Sequence, residues 1–233
     1  MESLSSAVQQ ALVLLFSGDA ELWNIIAISF RVSTLAILIA TVPALVIAFL
    51  LAYLRFPGRR LLISTFTTLM AVPAVVVGLV FYILLSRQGP LGFWRLLFTQ
   101  SAMVIGQIAL CLPILVAMGH AAFQSVDNRA WETARTLGAG RFGAFLTILR
   151  EVRFALLATL SLGYSRIISE VGASMMLGGN ILHYTRNIPT AISLETSKGL
   201  FAQGIALGMV LVSMAFLLNA ALNYFQGRGQ FVP

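Results

Sequence analysis

The chain of 233 residues is 59% hydrophobic and only 10% charged, with a formal net charge of +7 and a mean hydropathy of +0.92. A soluble domain carries about 25% charged residues, so this inventory cannot clothe a water-exposed surface, and the bilayer is the main solvent. Each spanning helix takes roughly 20 apolar residues, so five or six spans with their connections consume the chain and leave no room for a soluble catalytic domain.

Residues 1–23, MESLSSAVQQALVLLFSGDAELW, lack the basic start of a signal peptide. Their apolar run is too short to span, and an external interfacial helix is expected. Apolar runs then predict spans over about 24–54, 62–85, 101–123, 154–177 and 200–225, inside a membrane domain of 24–226 with a tail of 227–233. The fold class is all-α, a polytopic membrane protein of about five transmembrane helices. Arg31 interrupts the first span and can snorkel from near a membrane face. Pro43, Pro73 and Pro113 fall inside three spans. Each removes a backbone donor and bends its helix, as a rocking hinge or as a static kink. Cys111 is the only cysteine and lies mid-span, which excludes a disulfide framework or a thiolate metal site.

Basic residues cluster in the short connections, the pattern of membrane topology rather than of a nucleic-acid surface. Arg55, Arg59 and Arg60 follow span one; Arg129, Arg135, Arg141, Arg150 and Arg153 follow span three; Arg228 follows span five. The opposite connections hold Arg87, Arg95, Arg186 and Lys198. Nine against four places the first group in the cytoplasm, with the N-terminus outside and the C-terminus inside.

The connection of about 125–153 is therefore cytoplasmic, and it contains WETARTLGAGRFG. Asp127 is placed to cap a helix carrying Trp131, Glu132, Ala134 and Arg135, with the carboxylate early, where the helix dipole favours it. Gly138 ends or bends that helix, and Gly140 adds backbone freedom. Phe142, Phe145, Leu146 and Leu149 then recur at i, i+3, i+4 and i+7, an apolar stripe on a second helix. Two short helices meeting at a small-residue corner fit a groove on another protein; an amphipathic loop lying on the lipid surface fits the same pattern.

Glu132-Thr133-Ala134, three residues, Gly138, nine residues and Ile148 resemble the EAA loop of ABC-importer permeases. Thr133 departs from the usual alanine, and Arg150-Glu151 stand where Leu-Pro is usual, which leaves the entry angle of span four open. The resemblance implies a type I ABC-importer permease fold, molybdate permease-like, whose loop is the coupling helix seated in a cleft of a cytoplasmic ATPase. Glu132, Thr133, Ala134, Gly138, Ala139 and Gly140 would form that contact. It further implies a second copy of the chain, an ATPase dimer holding ATP and Mg, and an extracytoplasmic binding protein. No cofactor on this chain and no nucleic acid are expected. A two-fold pair would place the pathway on its axis. SRIISEVGASMMLGGNI (165–181) and YTRNIPTAISLETSKG (184–199) are similar to the oxyanion permeases for molybdate, sulfate and tungstate, with the LETSKG ending most like the tungstate members. The implied function is ATP-driven import of a tetrahedral oxyanion by alternating access.

The residues themselves add candidate sites. Arg166 and Glu170 lie one helical turn apart, and charges inside a bilayer usually face protein or a water-filled cavity. The pair either locks helices together or offers a dianion a positive rim whose grip Glu170 limits. Gly172 and Ser174 line or close a pathway, or serve close packing. Gly178-Gly179-Asn180 reads as a tight turn at the external face. Asn180, Arg186 and Lys198 there are placed to meet the anion or its binding protein, or are simply solvated loop charge. His120 and His183 stand alone, without a metal-ligand spacing. No phosphate loop G-x-x-x-x-G-K-[ST] occurs, so ATP hydrolysis is expected in a partner subunit. An ion-driven secondary carrier is the rival class, but no inverted repeat supports it.

Overall fold

A computed structural model describes residues 17–126 and 136–227, with 9, 12, 13 and 133 beside them. The described residues form an all-helical bundle. Helix α1 (Ala20–Tyr53) is 34 residues long, about 51 Å at 1.5 Å per residue, so it tilts or projects beyond a hydrocarbon layer of about 30 Å. Asp19 caps its start by accepting the Leu22 amide at 2.9 Å. Its last carbonyls have no helical partner, and Arg59 supplies one, donating from Nε to Leu51 O and from Nη2 to Ala52 O. Placing a cation there also suits the helix dipole.

Helix α1 packs along α4 (Gln100–Gln124), and the two carry the bundle. The reason is a ridge of small side chains: Ala36, Ala40, Ala44 and Ala48 recur every fourth residue, and all are fully buried. Four-residue spacing puts them on one face, and small side chains let two helix backbones approach where no hydrophobic force drives association in lipid. Gly119 of α4 completes the fit, since a Cβ there would lie 3.2 Å from the Ala48 methyl.

Two of the expected spans are each a pair of helices. The span of 62–85 consists of α2 (Arg59–Leu69) and α3 (Ala74–Leu85), bent by 103°. Pro73 stands at the N-cap of α3, outside both helices, and it pushes Val72 out of helical conformation. The span of 154–177 consists of α6 (Arg153–Ile168) and α7 (Gly172–Gly178), bent by 59° with no proline between them. The expected span of 200–225 corresponds to α9 (Phe201–Gly227). Before it comes α8 (Ile188–Ser197), a helix in what the sequence presented as a plain connection. It starts with a reciprocal capping box between Asn187 and Thr190, and its Ile188 amide donates to the buried Ser29 Oγ of α1 at 2.6 Å.

The bundle has two distinct ends. At the α8 end, Leu22, Ile25, Ile26, Ile188, Ala191 and Leu207 form one apolar cluster. At the other end, Ala48, Ala122, Phe123, Val152 and Leu156 surround Ile148 of helix α5 (Arg141–Glu151). Arg87, Arg95, Arg186 and Lys198 all lie at the α8 end, in or beside the loops that join α3 to α4, α7 to α8 and α8 to α9.

Candidate functional site

The break between α6 and α7 is built from side chains. Arg166 Nη1 contacts Glu170 Oε2 at 2.5 Å. The other oxygen, Glu170 Oε1, accepts the Gly172 amide at 2.8 Å, one of the free donors at the start of α7. The carbonyl of Ile167, near the end of α6, receives Gln107 Nε2 from α4 at 3.2 Å and the Glu170 amide at 3.3 Å. Ser169 Oγ donates to the Ser165 carbonyl. One carboxylate thus joins the two helices and neutralises an arginine. Glu170 is buried, whereas the Arg166 side chain is 39% exposed. Ser165 is half-buried and Ser169 exposed on the same outer side of α6.

Gly172 and Ser174 lie just beyond this latch, at a helix contact. A Cβ at Gly172 would come within 2.5 Å of Val75 Cγ2, and one at Gly78 within 2.9 Å of the Ala173 Cα. Helices α3 and α7 therefore touch almost backbone to backbone. Ser174 is buried, and its Oγ has no partner among the described residues. Gln107 Oε1 is likewise buried without one. Gln107 escaped the sequence reading, although an amide in the apolar run VIGQIALCLP is the kind of polar intrusion that marks a working position in a membrane helix. Beside the latch, a cleft of about 260 Å³ separates α6 from α9, lined by Tyr164, Ser165, Ile168, Ser169 and Leu211 among others.

At the α5 end, Glu132 and Ala134 lie outside the described residues, as do Asp127, Trp131 and Arg135. Thr133 accepts the Leu137 amide at 3.0 Å. Gly138 follows with φ +88°, the left-handed conformation that glycine adopts without penalty. Ala139 and Gly140 lead into α5, with Gly140 at its N-cap. A Cβ on Gly138 or Gly140 would meet nothing within 4 Å, so no contact among the described residues requires Gly140 to be small. The buried face of α5 is Ala144 and Ile148, with Phe145 edge-to-face on Phe49 at 4.8 Å. The expected stripe is rotated: Phe142 is exposed, as is Leu137. Without a proline at 151, α5 runs almost directly into α6. Only Val152 intervenes, and the bonds Val152 N to Ile148 O and Leu156 N to Val152 O continue across it.

At the α8 end, Gly179 (φ +71°) and Asn180 (φ +52°) make the tight turn after α7. Thr185 closes it, donating to the Gly178 carbonyl and accepting the Ile181 amide. The Asn180 Oδ1 is buried and unpartnered among the described residues. Arg186 is largely buried and pairs with Glu21 at 3.5 Å. Lys198 pairs with Glu195 at 3.0 Å. Neither cation is free solvated charge.

An all-helical bundle with two broken spans and an amphipathic helix at one end is the fold of type I ABC-importer permeases. The chain matches, with TM-score 0.76 and 17% identity, a chain in the crystal structure of a bacterial ABC transporter that imports the acidic polysaccharide alginate, covering 95% of this chain and 84% of that one. Residues 44–228 match the model of the binding-protein-dependent transport system inner membrane components, and the chain belongs to that family. It is 38% identical over 219 residues to the tungstate uptake system permease protein TupB of Campylobacter jejuni subsp. jejuni serotype O:2, covering 94% of this chain and 92% of that one. It is 37% identical over 226 residues to the protein of the same name in Peptoclostridium acidaminophilum, covering 97% and 99%. The chain is thus a membrane transport subunit, not the ATPase.

Proposed function

We propose that this chain is the permease subunit of an ATP-driven importer that carries a tetrahedral oxyanion, tungstate, across the cytoplasmic membrane by alternating access. The observation that carries this reading is the similarity over nearly the whole chain to two tungstate uptake permeases. The nine-to-four distribution of basic residues supports an orientation with the α5 end in the cytoplasm and the N-terminus outside.

The pathway lies between two copies of the chain. The centre of one bundle is filled, since Val32, Ala36, Ala40, Cys111, Val116 and Ile167 are all fully buried there. Arg166, Ser165 and Ser169 instead present polar groups on its outside, which is costly against lipid and favourable beside water. A second copy facing them encloses a polar route. Along it, Arg166 attracts a dianion, and its bond to Glu170 keeps the attraction weak enough for release. Gly172 and Ser174 act through the fit of α7 on α3: the outer halves of the two broken spans tilt together as the gate.

The corner of 132–140 receives the ATPase. The exposed Leu137 and Phe142 and the open space at Gly140 support this, and Glu132 and Ala134 are assigned to the same contact by their motif. Closure of the ATPase pair on ATP moves α5, and the nearly continuous α5–α6 backbone passes that movement to the latch. The outer loops receive the binding protein, with Asn180, Arg186 and Lys198 in the contact region.

Co-expression of permease and ATPase tests this reading. Wild type is expected to co-purify with the ATPase, and Glu132→Lys to lose at least tenfold of the binding-protein-stimulated ATP hydrolysis while the permease stays folded. Full stimulation in Glu132→Lys would remove the corner from the coupling contact. Transport of molybdate or sulfate but not tungstate would move the chain to a sister group of permeases.

A further inference from the structure

Of the four cations at the α8 end, two are neutralised and two are not. Arg186 is held by Glu21 and Lys198 by Glu195. Arg87 and Arg95 are exposed and have no carboxylate partner among the described residues. Both line one cavity of about 980 Å³, walled by Tyr82, Ser86, Phe93 and Phe98 and formed by the end of α3 and the loop that follows it. We propose that this cavity is an anion-receiving site, in which Arg87 and Arg95 take up a tetrahedral dianion before it enters the pathway; the proposal rests on the oxyanion-importer reading.

The chemistry favours an oxyanion over other occupants. Each guanidinium presents a planar fork of N–H donors that matches two oxygens of a tetrahedral anion. With no carboxylate among the described residues competing for them, these donors remain available to a ligand. A concave, half-polar space suits a small hydrated anion better than the flat, extended contact of a protein surface. Its size exceeds that of one tetraoxoanion many times over, so the anion is held loosely and with water, as a transfer step requires.

The cavity is also built in advance. A Cβ on Gly89 would lie 2.1 Å from the Ile83 carbonyl oxygen, and one on Gly92 2.2 Å from that of Ser86. Leu91, Gly92 and Arg95 amides donate to the Leu84, Gly89 and Gly92 carbonyls. The Phe98 amide donates to Leu177 O at 2.8 Å, and its ring covers Gly179. This loop is therefore anchored on the C-terminal end of α7, so an anion in the cavity sits on the α3–α7 unit proposed as the gate. A fixed loop loses little conformational freedom on binding.

The test is equilibrium dialysis of tungstate against the purified permease–ATPase complex without binding protein. Wild type is expected to retain tungstate, more weakly as salt rises. Arg87→Gln with Arg95→Gln is expected to lower that affinity at least tenfold, and the paired Lys variant to restore part of it, keeping the charge but not the fork. Both side chains are exposed, so neither exchange removes an internal contact. The concentration of binding protein that half-stimulates ATP hydrolysis is expected to stay unchanged. Tungstate affinity unaltered in the double Gln variant would overturn the proposal. So would a raised half-stimulating concentration with unaltered tungstate affinity, which would assign the arginines to a protein surface. Wild-type uptake of tungstate with none retained by the permease would overturn this site alone and leave the importer reading standing. Wild type that moves no oxyanion would instead remove the importer reading itself.

Discussion

The two broken spans reach similar ends by different means. Between α2 and α3 the backbone closes itself: the Ala71 and Val72 amides reach the Thr68 and Leu69 carbonyls, and Val76 and Val77 bond to Pro73 O. Proline at 73 disfavours helical continuation, and the hydrogen bonds of the turn hold the break on their own. Between α6 and α7 the chain carries no such instruction. The bend of 59° is occupied by Glu170, Gln107 and Ser169, each satisfying a backbone group that an unbroken helix would have satisfied itself, and by Arg166, which holds the Glu170 carboxylate. One break is written into the backbone and permanent. The other depends on a charge pair and responds to whatever disturbs it, a property suited to a gate.

Substitutions sharpen that contrast in order of size. Glu170→Ala removes the partner of Arg166 and the acceptor of the Gly172 amide together. A hydrogen bond to a charged group contributes about 1.5–3 kcal/mol, so a marked fall in the melting temperature of the detergent-solubilised permease is expected, with loss of uptake. Glu170→Gln keeps an acceptor for Gly172 and is expected to recover most of the stability but not the transport. A Glu170→Ala variant as stable as wild type would mean that the second break is also held by its backbone.

Gly78→Ala acts on the contact between α3 and α7. The added methyl would meet the Ala173 backbone at 2.9 Å, which cannot rotate away as a side chain can. Overpacking of this kind costs about 1–3 kcal/mol, and thermal denaturation is expected to show a loss in that range. Pro73→Ala is expected to have the smallest effect. The turn keeps its own hydrogen bonds, and the main change is a freer unfolded chain, worth about 0.4–1 kcal/mol. Spin labels on α2 and α3 are expected to report an unchanged distance distribution. A straightened helix in that variant would make proline, rather than the folded context, the sole cause of the first break.

The same difference explains what could be read from the sequence. Proline announces itself, so a bend near 73 was legible, though its size was not: a kinked span was the natural reading, and a right-angled break needs the packing of α3 on α7. The spacing of Arg166 and Glu170 disclosed that they meet. It did not disclose that the helix stops there, because IISEV contains no breaker and one of the groups that satisfies the interruption is Gln107, a residue 60 positions away. The left-handed Gly138 and the turn at Gly179 followed from glycine placement. Helix α8 does not stand out in the sequence because ten residues cannot span a membrane, although Asn-x-Pro-Thr is a readable start signal. The alanine ridge of α1 was hidden in a uniformly apolar run, where hydrophobicity varies too little to mark a face. The rotated stripe of α5 has a similar cause. Phe142 fits the periodicity, but the surface available at the ends of α1 and α4 accommodates Ala144 and Ile148 instead.

The importer reading is tested most directly by tungstate accumulation in proteoliposomes containing permease and ATPase, with tungstate-loaded binding protein outside. Accumulation is expected only with ATP and Mg on the ATPase side, and it should disappear in Glu132→Lys. Accumulation that proceeds without ATP, or is driven equally well by an imposed ion gradient, would contradict it and assign the chain to a secondary carrier.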